Sequence, residues 1–196
     1  CNLNVSTPRL TLIEGAGLTS IVFAQLLGQP LPNAGSGNGG DVRVNADTIV
    51  MSGATPLNPE NVTQMGSVTF GSGDAGDVSI STGKLRVEEG AALLSSVLPS
   101  LSGIGEPIAG SGTGNGGSLN IRAVEEIAVV GTNPFLGSPS LLGLQTFGSG
   151  NVGEIQVSGD RIRVANGAVI GAFTSGTGNA GRITVDASEV LVSGVS

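Results

Sequence analysis

The chain has 196 residues, 34 of them Gly, with 15 acidic side chains against 8 basic ones and a net charge of −7. It contains no His, Trp or Tyr, five Phe and a single Cys. This composition excludes an internal disulfide, disfavours nucleic acid, whose phosphates call for a Lys/Arg stripe, and leaves a narrow core of Val, Ile, Leu and Ala. High glycine alone is compatible with disorder, but 39% hydrophobic residues gathered in β-branched runs point to a packed core. The longest apolar runs, such as "TSIVFAQLL" at 19–27, fall short of a membrane span.

In chain order, short strands recur in a fixed arrangement, each alternating apolar and polar residues at the period-2 spacing of one buried face. Leu3/Val5 and then Leu10/Leu12 come first, followed by the corner "EGAGL" at 14–18. Cys1 stands at a repeat position and is read as such rather than as a lipidation site. A glycine-rich turn, "GSGNGGDVRV" at 35–44, leads into Val42/Val44 and then Ile49/Met51. "GSGDAGDVSI" at 71–80 repeats the turn, with Val78/Ile80, Leu85/Val87 and the corner "EGAAL" at 89–93. "GTGNGGSLNI" at 112–121 follows, with Leu119/Ile121 and, one residue later than elsewhere, Ile127/Val129. "GSGNVGEIQV" at 148–157 opens the shortest unit, with Ile155/Val157, Ile162/Val164 and the corner "NGAVI" at 166–170. "GTGNAGRITV" at 176–185 starts the last, with Ile183/Val185 and Val190/Val192.

Turns that start near 35, 71, 112, 148 and 176 are 28 to 41 residues apart, which is the spacing of a repeat architecture. Three short strands per unit with small-residue corners predict an all-β fold, a right-handed parallel β-helix (β-solenoid) of about five to six coils. Residues 1–196 are expected to form a single β-helix and, since the chain begins and ends inside the repeat, a piece of a longer array.

Stacking of the coils puts Asn38, Asp74, Asn115, Asn151 and Asn179 at one corner, where side-chain amides can bond each other and the turn backbone. Asn also tolerates the left-handed conformation that such corners use. Gly40, Gly76, Gly117, Gly153 and Gly181 are expected either to take positive φ or to allow close approach between coils. The longer units carry insertions placed after the third strand, at 55–70, 96–111 and 132–147, which would crowd one side.

Candidate chemistry is sparse. Asp41 and Asp77 occupy equivalent positions, but Ser118, Glu154 and Arg182 follow, so the acidic column breaks after two. Asp47 and Asp160 also share a level, and Lys84, the only lysine, has no evident catalytic partner. "GSGDAGD" resembles calcium-binding Gly-Asp turns, which makes Asp74 and Asp77 a weak metal candidate beside the plainer Asx-turn reading. "RIR" at 161–163 points both arginines outward, and Arg86 falls at the outward position of Arg163. The Phe residues at 23, 70, 135, 147 and 173 read as caps on the core rather than as a stacking platform. No catalytic residue and no cofactor are assigned.

Residues 148–185, "GSGNVGEIQVSGDRIRVANGAVIGAFTSGTGNAGRITV", and more loosely the rest of the chain, resemble repeats of cyanobacterial filamentous-haemagglutinin-like exoproteins. The resemblance implies two-partner secretion through an outer-membrane partner and a place on the outer face of a Gram-negative bacterium. It also implies an adhesive or structural role, with cell-surface glycans or matrix as partners and end-to-end or side-by-side self-association. "NPE" at 58–60 and "NPF" at 133–135 depart from the Asn-Pro-Asn motifs of that family's secretion domain, so the chain is expected to be repeat shaft. A polysaccharide lyase or hydrolase on the same fold, or a self-assembling filament subunit, is the alternative.

Overall fold

In the computed structural model the described residues are 1–26, 29–30, 36–99 and 110–194, and they contain strands but no helix. The turn start at Gly35 and residues 100–109 of the second insertion lie outside them.

Six long strands form one sheet: β1 (Leu3–Ile13), β5 (Val42–Ser52), β9 (Val78–Glu88), β11 (Leu119–Val130), β13 (Ile155–Ala165) and β15 (Ile183–Ser193). Five shorter strands form a second: β2 (Gly17–Val22), β8 (Gln64–Thr69), β10 (Ala92–Val97), β12 (Leu141–Thr146) and β14 (Val169–Thr174). The pairing in both is parallel throughout, and the chain alternates between them, so each of the first five repeats has one long strand and then one short one. Two antiparallel pairs lie outside these sheets: β3 (Gln25–Leu26) with β4 (Gln29–Pro30), and β6 (Ala54–Thr55) with β7 (Asn58–Val62).

The two strands expected on either side of a central corner are one continuous strand of 11 residues in five repeats and 12 in β11. The alternation slips by one residue at its centre. In β5, Val42, Val44 and Ala46 are buried, and the next buried residues are Ile49 and Met51. The slip turns the strand while keeping both halves facing the core. At that point in β1 stands Pro8: the ladder pairs Thr7 with Ala46 and Arg9 with Thr48, and skips the residue that has no N–H to give. The extra residue of β11 appears as a register shift between Arg122 and Glu126.

The core lies between the sheets. Val42, Ile49, Val78, Leu85, Leu119 and Ile127 from the long strands meet Met65, Leu93, Leu142 and Leu144 from the short ones. No side chain larger than Met or Leu is needed, because adjacent strands are separated by only about 4.8 Å and each repeat needs to fill only that depth.

Insertions leave at two places rather than one. In the first and third repeats the chain turns directly from long to short strand through Glu14-Gly15 and Glu89-Gly90, and the extra residues follow the short strand. In the second and fourth the extra residues come before the short strand, as the β6–β7 hairpin and as 132–140, closed by a bridge between Thr132 and Pro139. Residues 64–69 and 141–146, expected to be loop, are therefore the strands β8 and β12.

Candidate functional site

The corner that precedes each long strand carries the most regular chemistry. The Asn38 side-chain oxygen accepts the backbone N–H of Asp74 at 3.1 Å, and Asp74 Oδ1 accepts that of Asn115 at 2.7 Å. Asn115 Oδ1 then accepts the N–H of Asn151 at 3.0 Å, and Asn151 Oδ1 that of Asn179 at 2.9 Å. Carboxamide N–H groups of Asn115 and Asn179 reinforce two of these links. None of the five residues is left-handed. Among the described residues the non-glycine positions with positive φ are Glu14, Glu89 and Asn166, all at the other corner and all followed by a left-handed glycine.

Gly40, Gly76, Gly117, Gly153 and Gly181 do not take positive φ either. They permit close approach. A Cβ would lie 1.8 Å from the Cys1 carbonyl oxygen at Gly40, and 2.4, 2.2, 2.4 and 1.6 Å from the carbonyl oxygen of the preceding repeat's glycine at the other four.

A second ladder runs beside the first: Asn2 Oδ1 accepts from Asp41 N–H, Asp41 Oδ1 from Asp77 N–H, and Asp77 Oδ1 from Ser118 N–H at 2.8 Å. Asp41 also holds Arg43 through Oδ2 at 2.8 Å. The two aspartates thus act as backbone acceptors. Asp74 and Asp77 sit in different ladders, and among the described residues no group of three or more His, Cys, Asp or Glu is placed to hold a metal.

Hydroxyls, buried at Ser67 and Ser95 and half-buried at Ser20, complete the corner from inside. Ser20, Ser67 and Ser95 on the short strands accept the N–H groups of Gly40, Gly76 and Gly117. These serines went unnoticed in the sequence. The signal for them is a Ser at the fourth position of "GLTSIV", "QMGSVT" and "ALLSSV", which shows only once the short strands are aligned.

At the central slip of the long strands, Lys84 pairs with Glu125 at 3.0 Å and Arg161 with Glu189 at 2.9 Å, while Asp160 lies nearby. The hydrogen bond that Lys84 donates to Glu125 holds its ammonium above the ordinary range, and the one Arg161 donates to Glu189 does the same for its guanidinium. Arg86 pairs with Glu88. Its separation from Arg163 is two strands, with Ala128 between them.

Of the aromatic residues, Phe23 and Phe70 stack in parallel with ring centroids 5.9 Å apart at the ends of β2 and β8. Phe23, Phe135, Phe147 and Phe173 are 41–60% exposed, so they do not close the core in the manner expected of caps.

The outward face of the first half of the long strands forms an open trough of about 630 Å³. Asn4, Arg43, Ser79 and Asn120 make one row across four neighbouring strands. Ser6, Asn45, Ser81 and Arg122 make the next.

Comparison with protein-family models, with curated proteins and with solved structures finds no match. Among the described residues no helix is long and apolar enough to cross a membrane.

Proposed function

We propose that this chain is a right-handed β-solenoid shaft of a secreted, cell-surface protein of the filamentous-haemagglutinin-like kind, with a structural or adhesive role. The observation that carries the reading is the corner ladder. Asn38, Asp74, Asn115, Asn151 and Asn179 spend their side chains on holding one repeat to the next, as a load-transmitting array requires. Two parallel sheets visited in strict alternation support a solenoid winding. The polysaccharide-cleaving alternative has less support. A general base works with a pKa near the operating pH, whereas Glu125 moves Lys84 the other way, and Asp41 and Asp77 are engaged by backbone N–H groups.

Immunogold labelling of intact cells from the native source, with antibody raised against residues 1–196, tests the proposal. Label on the outer surface is expected. A purely intracellular pool overturns it, and depolymerisation of a polysaccharide by the purified chain transfers the reading to the enzyme.

A further inference from the structure

We infer that the trough on the long strands binds an acidic polysaccharide lying across the strands. The inference adds a ligand class to the shaft proposed above and rests on that reading only for contact with extracellular polymers. Binding by the purified chain is measured separately, so the two can fail independently.

Charge makes the first argument. The chain has 15 acidic and 8 basic side chains, yet the trough is lined by Arg43 and Arg122 and by no carboxylate. Arg43 is already paired with Asp41, whereas Arg122 has no hydrogen bond or ion pair among the described residues, which leaves its planar fork of donors for a carboxylate.

Unused hydrogen-bonding capacity makes the second. The corner serines and threonines are occupied by backbone groups, as Ser67 and Ser95 show. The amides of Asn45 and Asn120 and the hydroxyls of Ser79 and Ser81 have no such partner among the described residues and line the trough. They offer both donors and acceptors, as a hydroxyl-rich polymer demands.

Dimensions make the third. The trough crosses three strand spacings, about 14 Å, and Arg122 lies two spacings from Arg43 across the strands, about 9.6 Å, and two residues further along them, about 6.6 Å. Such a length suits an extended run of a few sugar residues that brings one acidic group to Arg122. No aromatic lines the trough, so recognition rests on charge and hydrogen bonds, which favours an acidic sugar over a neutral one.

Isothermal titration of the purified chain with oligogalacturonate, and with dextran oligosaccharide of similar length, tests the inference. Oligogalacturonate is expected to bind and dextran not to. Arg122→Ser places in this row the residue it already has at Ser81 and Ser158, so the fold should be kept, as a melting curve will show. This variant should bind oligogalacturonate about tenfold more weakly, the loss of one charge-assisted contact. Arg163→Ser, outside the trough, should bind as the parent does. Failure of the parent chain to bind oligogalacturonate at millimolar concentration overturns the inference, as does equal binding by Arg122→Ser.

Discussion

A methyl group on Gly73 would lie 2.2 Å from the carbonyl oxygen of Gly37 directly beneath it, whereas a methyl group on Gly37 meets nothing within 4 Å. The same substitution in one glycine column therefore has opposite consequences. Gly73→Ala forces two repeats apart and is expected to cost about 3 kcal/mol or more. Gly37→Ala should be neutral or stabilise slightly, by about 0.5 kcal/mol, because it restricts only the unfolded chain. Urea unfolding of the two variants checks this. The ladder makes a finer prediction: Asn115→Ala removes the acceptor for Asn151 N–H and should cost roughly 1 kcal/mol. Asn151→Asp should be tolerated, because Asp74 already accepts in the same way two repeats away and the neighbours of Asn151 in the column, Asn115 and Asn179, carry no charge. At Ser96, 1% exposed and with its hydroxyl unpartnered, substitution by Ala should raise the melting temperature.

At the scale of elements, the insertions are tied to one another. Asn133 is buried, accepts the N–H groups of Phe135 and Leu136, and donates through Nδ2 to the Pro59 carbonyl at 3.0 Å. It joins the fourth repeat's insertion to the second's across the bare corner at Glu89-Gly90. Asn133→Ala is expected to cost about 1–3 kcal/mol, and hydrogen exchange should quicken selectively within 54–62. The same elements mark the limit of what the sequence discloses. The long strands were legible because Val42/Val44 and its equivalents alternate at a period of two after a recognisable glycine turn. β8 and β12 were not, because each follows an insertion instead of a Gly-Ala corner, and "QMGSVT" and "LLGLQT" carry internal glycines that read as loop. The Asn column was legible as a column. Its bond, from side-chain oxygen to the next backbone N–H, depends on register between repeats and on no local pattern. Arg122 was invisible as a binding candidate because its row is assembled from four strands distant in sequence.

Across the whole molecule, protection should follow position in the stack. β9 and β11 pair on both sides, whereas β1 and β15 pair on one. Ile183, Val185, Val190 and Val192 of β15 are 42–73% exposed on the face that the other long strands bury. Amide exchange is expected to be slowest in β9 and β11 and fastest in β15, and a uniform profile would contradict this. Surface ion pairs should matter little. The raised Lys84 pKa means that its pairing with Glu125 contributes below the ordinary lysine range and is lost as pH rises through the folded value. Lys84→Met should therefore leave the melting temperature near that of the parent at neutral pH, since exposed pairs contribute little.

The two kinds of corner are coupled, and the coupling sets a longer period than the strands do. The left-handed Gly15 sends its N–H to Thr63 Oγ1, which donates in turn to the Ser52 carbonyl. Gly90 uses Ser140 in the same way, and Ser140 donates to the Val130 carbonyl. The bare corners of the first and third repeats are thus each closed by a hydroxyl that arrives with the insertion of the following repeat. The molecule is built of doublets, bare then decorated, and a doublet is the smallest piece that can be excised without orphaning a buried N–H. Deleting 78–154 should join the second repeat to the fifth with every cap intact and give a shorter protein that still melts cooperatively. Deleting the fourth repeat alone should leave Gly90 without its partner and lower the melting temperature of what remains.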